Sequence, residues 1–133
     1  MYKTIISHFY NEEYLLPWWL EHHKQYFDHG IMIDYASTDR SVEIIKEICP
    51  DWTVIQSRNK YFDAVAIDQE VMDIEKDISG WRVALNVTEF LVGDYSILDD
   101  QHKYGGFTVP CYIMVDTDPD NEPVYGRSLV EQK

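Results

Sequence analysis

Short apolar runs alternate with segments of helical periodicity from the first residues to about Phe90, and that alternation limits the folds open to this chain. Tyr2 to Phe9 reads as a strand. Asn11 stands where a helix cap would, followed by Glu12 and Glu13 at the positive end of a helix dipole. Leu15, Leu16, Trp19, Leu20, His23, Tyr26 and Phe27 then fall on one broad helical face. Pro17 lies inside that segment, so either the regular helix begins there or the helix bends. After Gly30 comes a brief apolar run, Ile31 to Ile33, ending in Asp34. Ser37, Thr38 and Asp39 are all cap types and lead into a helix carrying Val42, Ile45 and Ile48, stopped by Pro50. Trp52 to Gln56 is a third strand and Ser57 to Asp63 a polar loop. Ala64, Ile67, Val71, Ile74 and Ile78 form the seam of a third helix, which Asp63 caps and which ends before Gly80. Trp81, Val83 and Leu85 alternate with Arg82, Ala84 and Asn86 in a fourth strand.

The order is βαβαβαβ, which predicts an α/β domain with a mostly parallel sheet flanked by helices. Turn clusters follow at Gly93-Asp94, Asp99-Asp100 and Gly105-Gly106. Phe107 to Val115 reads as a further strand, a small antiparallel extension near the C-terminus, before an acidic tail from Asp116 to Glu122. A chain of 133 residues has room for one domain, 1–133.

In such a sheet, ligands lie outside the carboxyl ends of the strands. Asp34, ending a strand beside the loop that opens a helix, is therefore the leading functional residue; its alternative role is to cap the following turn. Asp39 is read first as the helix cap and Asp63 as a cap before a ligand. Arg58 lies in a strand-to-helix loop on the ligand side, suited either to a phosphate or to a salt bridge with Asp63. Asp68 flanks the apolar seam and faces cleft or solvent. Of the pairs Trp18-Trp19 and His22-His23, one member should face the core and the other the surface. His102 is a weak metal-ligand candidate.

A net charge of −13 argues against nucleic acid or an anionic membrane as partner. Cys49 and Cys111 lack metal-ligand spacing and suggest a reducing compartment. With no signal-like N-terminus and no apolar run long enough to span a bilayer, the expectation is a cytoplasmic protein without a transmembrane segment.

His8-Phe9-Tyr10-Asn11-Glu12-Glu13, then Leu16-Pro17-Trp18-Trp19-Leu20-Glu21-His22-His23, then Ile33-Asp34-Tyr35-Ala36-Ser37-Thr38-Asp39-Arg40-Ser41, resemble glycosyltransferase family 2, in the branch with an NE-x-x-LLP-x-W-L-x-H-H opening. Ser57-Arg58-Asn59, Phe62-Asp63 and Asn86-Val87-Thr88-Glu89-Phe90-Leu91 follow in matching order. The similarity runs over roughly residues 3 to 92. It implies a GT-A, Rossmann-like domain binding a nucleotide sugar of UDP or GDP type, with Tyr10, Asn11 and Asp34 holding the nucleoside and an unknown acceptor. It places Arg58, Asp63 and Asp68 around the donor.

The resemblance also implies a D-x-D metal motif at the end of the fourth strand, where Mn or Mg would neutralise the leaving diphosphate. This chain has Asn86, Thr88 and Glu89 there, two carboxylates fewer, which weakens the expectation of a metal. Inverting transfer needs a carboxylate base; Asp116 and Asp118 of the literal D-x-D at 116–118 are the catalytic candidates, their alternative being an acidic surface turn. Asp99 and Asp100 are the other carboxylates of the short region after Phe90. The resemblance thus points to a glycosyltransferase, to the donor-binding portion of a longer one, or to an inactive descendant that binds a nucleotide or a protein.

Overall fold

The computed structural model describes residues 2–99, 105–114, 120 and 122–132. Four strands, β1 (Lys3–Phe9), β2 (His29–Asp34), β3 (Thr53–Gln56) and β4 (Trp81–Ala84), alternate with three helices, α1 (Leu16–His23), α2 (Ser41–Ile48) and α3 (Ala64–Glu75). All strand pairs are parallel and the sheet order is β3-β2-β1-β4. The fold is α/β and Rossmann-like. Because parallel crossovers are right-handed, two successive steps from β1 to β3 put α1 and α2 on one face, and the reversed step to β4 puts α3 on the other. The strand order reverses beside β1, so the carboxyl end of β1 is the topological switch point.

The face under α1 and α2 holds the larger core. Ile5 and Phe9 of β1 and Met32 of β2 meet Leu16, Trp19 and Leu20 of α1 and Ile44 and Ile45 of α2, all buried. Gly30 is needed in β2 because the Trp52 ring lies on its backbone: a Cβ there would sit 2.1 Å from the ring. On the opposite face Ile67 of α3 is buried, and α3 packs on β1.

Three local expectations change. Asn11 does not cap α1, which starts at Leu16 with Pro17 in its first turn, where a missing N–H costs nothing. Asp39 lies one residue before the N-cap of α2, Arg40, and accepts from the Ser41 N–H at 2.9 Å. Trp18 and Trp19 are both buried, at 4% and 0% exposure, because the C-terminal segment covers Trp18. Asp63 does cap α3, accepting from the Ala66 N–H at 2.9 Å.

The small antiparallel extension expected over Phe107 to Val115 is not observed. Among the described residues no strand follows Ala84, and 107–114 run without strand pairing, with Tyr112 and Ile113 exposed. High strand propensity in that run is not matched by a ladder partner on β4. Val115 lies outside the described residues. Among the described residues no helix is long and apolar enough to cross a membrane.

Candidate functional site

The loops after β1, β2, β3 and β4 gather on the carboxyl rim of the sheet. The first two are laced together. The Asn11 side-chain oxygen accepts from the N–H groups of Thr38 and Asp39 at 2.8 and 3.3 Å, while the Asn11 N–H donates to Ser37 Oγ at 3.0 Å. The Glu12 N–H donates to Ser41 Oγ and the Glu13 N–H to Asp39 Oδ2, at 2.8 and 3.1 Å. Glu13 in turn accepts from the Arg40 N–H at 3.1 Å. Asn11 at φ 48° and Ala36 at φ 52° are both in the left-handed region, one in each of these loops. For Ala36 that conformation costs about 1 kcal/mol or more, and side chains able to bond locally make it easier for Asn11. Strain of this kind persists where surrounding structure over-determines it, and it concentrates at ligand sites.

Asp34 ends β2 at 3% exposure. Its Oδ1 accepts from the Ser37 N–H at 2.9 Å and its Oδ2 from Gln56 Nε2 at 2.7 Å. Both oxygens thus serve the rim: one closes the turn holding Ala36, the other ties β3 to β2. The carboxylate sits on the rim as the sequence implied, and in this state it is a turn cap. Tyr10 is half exposed, its ring edge-on to Tyr35 at 6.1 Å; Tyr35 lies over His8 at 5.7 Å.

The loop after β3 is built on Glu70, a buried carboxylate of α3. It accepts from Ser57 Oγ at 2.7 Å, the Arg58 N–H at 2.9 Å and Asn59 Nδ2 at 2.8 Å. Burial pushes the Glu70 carboxyl up, but these bonds and nearby His8 outweigh it and hold it below the usual range. His8 faces the same side of the sheet; burial lowers its imidazole against the opposing pull of Glu70 and Asp34, and its Nε2 is buried without a hydrogen-bond partner among the described residues. Glu70→Ala is expected to cost about 2–3 kcal/mol by stranding its donors, and Glu70→Gln about 1 kcal/mol, since an acceptor remains. Urea unfolding of both variants checks this; equal losses would mean the hydrogen bonds are not what the carboxylate contributes.

Arg58 pairs with Asp73 at 2.8 Å, not with Asp63. That pair is exposed, and such pairs are worth about 1 kcal/mol or less. Asp63 is engaged as the α3 cap, and Asp68 is exposed on α3. Asn86, Thr88 and Glu89 follow β4 and are exposed. Glu89 Oε2 accepts from the Asn86 N–H at 2.7 Å, so the single carboxylate of that set closes its own turn. Among the described residues no group of three or more His, Cys, Asp or Glu is placed to hold a metal ion. The donor set after β4 is therefore poorer than a hard cation asks for. Asp100, His102, Asp116 and Asp118 lie outside the described residues.

Two hollows, of 580 and 440 Å³, lie elsewhere: one against the outer side of β4 near Trp81 and Phe107, the other between α1 and the C-terminal segment. Neither is bordered by Tyr10, Asn11, Asp34 or Arg58.

Sequence reasoning missed Glu70, Gln56, Tyr35 and His8 as parts of the rim. Glu70 carried a readable signal: three residues after Ile67 and four before Ile74, it puts a carboxylate on the buried stripe of α3. No protein-family model matches this chain, and a search of curated proteins returns no match either.

Proposed function

We propose that the chain is the donor-binding domain of a nucleotide-sugar-dependent glycosyltransferase. The observation that supports this reading best is the pair of left-handed, non-glycine residues, Asn11 and Ala36, in interlocked loops around Asp34 at the switch-point side of the sheet. On this reading a UDP- or GDP-type nucleoside lies against Tyr10 and the Asn11–Asp34 turn, and Arg58 leaves Asp73 to meet the diphosphate. The base that takes the acceptor proton is sought at Asp116 or Asp118, and no step is routed through a metal.

The test is thermal unfolding with UDP, GDP and their sugars, with and without manganese. A ligand at a hundred times its Kd stabilises by about 2.7 kcal/mol, a shift of several degrees at this size. Failure of every nucleotide to move the midpoint at millimolar concentration would refute the proposal. Asn86 and Thr88, neutral where the resemblance expects carboxylates, favour a second reading: a descendant that binds nucleotide without transferring sugar. That reading keeps the shift and predicts no donor turnover with any acceptor.

A further inference from the structure

The loop after β1 is held from two sides, and only one of them belongs to the sheet. On the far side, residues 122–132 lie along the first half of α1. The Tyr125 ring stacks on Trp18 at 4.1 Å and meets Tyr14 edge-on at 6.4 Å. Trp18 Nε1 donates to the Val124 carbonyl at 2.9 Å, and the Tyr125 hydroxyl donates to the Tyr14 carbonyl at 2.9 Å. The segment is closed on itself by one side chain. Gln132 Nε2 donates to the carbonyls of Val124 and Arg127 at 3.0 Å, and its oxygen accepts from the Val124 N–H at 2.8 Å. Gly126, at φ 86°, makes the turn between them.

Tyr14 directly follows Glu12 and Glu13, whose N–H groups are fastened to Ser41 and Asp39. Asn11 to Tyr14 is therefore gripped between the loop that opens α2 and the C-terminal segment. We infer that residues 122–132 act as a conformational strap: docked through Tyr125, they fix the loop after β1 in its left-handed form, and undocked they release it. The strap's hold is on the Trp18 side chain of α1 and on the ring and carbonyl of Tyr14 just before it, so it can leave without breaking the sheet. Trp18 and Tyr14 are the aromatic seat it vacates. A strap of this kind makes the carboxyl rim at the switch point adjustable from the far end of the chain. It goes beyond the donor-binding reading and does not depend on any ligand.

Hydrogen exchange on the 133-residue chain, without nucleotide, tests it, with the Trp18 indole N–H reporting the strap and the Glu12 and Glu13 amides reporting the loop. In Tyr125→Ala both reporters should exchange about tenfold faster, while the β1 amides paired in the sheet keep their wild-type protection. Tyr125→Phe keeps the stacked ring and loses one hydrogen bond, and its effect should be smaller at both reporters. A faster Trp18 indole with unchanged Glu12 and Glu13 amides would overturn the coupling. An unchanged Trp18 indole in Tyr125→Ala would overturn the clamp itself. No nucleotide is present, so a failed nucleotide titration and a failed strap are separate results.

Discussion

Trp19→Ala is expected to lower stability by about 3–5 kcal/mol, the usual range for removing a large aromatic from a packed interior. The side chain is wholly buried. Its ring lies tilted against His23 at 4.4 Å and edge-on to Trp52 at 6.4 Å, joining α1 to the residues that cover β2. Its neighbours come from the sheet and both helices of the larger core, so no single element can collapse into the space left behind. The indole also donates to the Glu89 carbonyl at 2.8 Å, fastening the segment after β4 to α1. Trp19→Phe separates the two contributions, keeping most of the apolar volume and stranding that carbonyl at a cost of about 1 kcal/mol. Urea unfolding of the three proteins would decide it. A loss below about 1 kcal/mol in Trp19→Ala would mean that the core is not organised around this ring.

The architecture was legible because its causes are local. Ile31 to Ile33 between Gly30 and Asp34, and Ile67, Val71 and Ile74 at helical spacing, leave few alternatives to a strand and an amphipathic helix, although α3 ends at Glu75 and Ile78, expected on its seam, lies beyond it. Asp63 as a cap is equally local, a carboxylate immediately before an apolar seam. The misreadings arose where long-range partners decide. Asn11 is a plausible cap until Thr38 and Asp39 arrive to compete for its oxygen. Trp18 belongs on a surface until Tyr125 covers it, more than a hundred residues later. Phe107 to Met114 has strand composition, but a strand is a pair, and composition does not name the partner.

The rim shows the same division. That Asp34 would reach the carboxyl edge followed from its place at the end of an apolar run. That both its oxygens would be committed to Ser37 and Gln56 did not, because Gln56 belongs to another strand. Glu70 and Asp34 have related jobs on opposite sides of β3's exit: each is a buried carboxylate that orders a rim loop by accepting from its donors. On the donor-binding proposal, a nucleotide arriving at this rim would meet loops already ordered, which would reduce the entropy that its binding must offset.

Acidification should destabilise the protein through His23 before most carboxylates titrate. His23 is fully buried; its Nδ1–H donates to the Trp19 carbonyl at 2.9 Å and its Nε2 accepts from the Leu91 N–H at 3.2 Å. This arrangement needs the neutral ring, since a second proton would oppose the Leu91 N–H. Burial, with neighbouring His22 adding to it against the bond to Trp19, lowers the imidazole from 6.5 to about 3. The folded value lies below the unfolded one, so the unfolded chain takes the proton first. The contribution of neutral His23 is complete above pH ~6.5 and drains away at about 1.4 kcal/mol per pH unit as the pH falls toward 3. By pH 5 the loss is about 2 kcal/mol. His8, also lowered, adds to the slope in the same direction. The clean measurement is therefore a difference: urea unfolding of the wild type and of His23→Gln between pH ~6.5 and ~5. His8 and the carboxylates cancel in that difference, and the variant, less stable at neutral pH, should fall more gently by about 2 kcal/mol across the window. Parallel curves would show that His23 keeps its proton equilibrium on folding. They would also mean that the Leu91 contact, and with it the fastening of the segment after β4 to α1, is not built on a neutral ring.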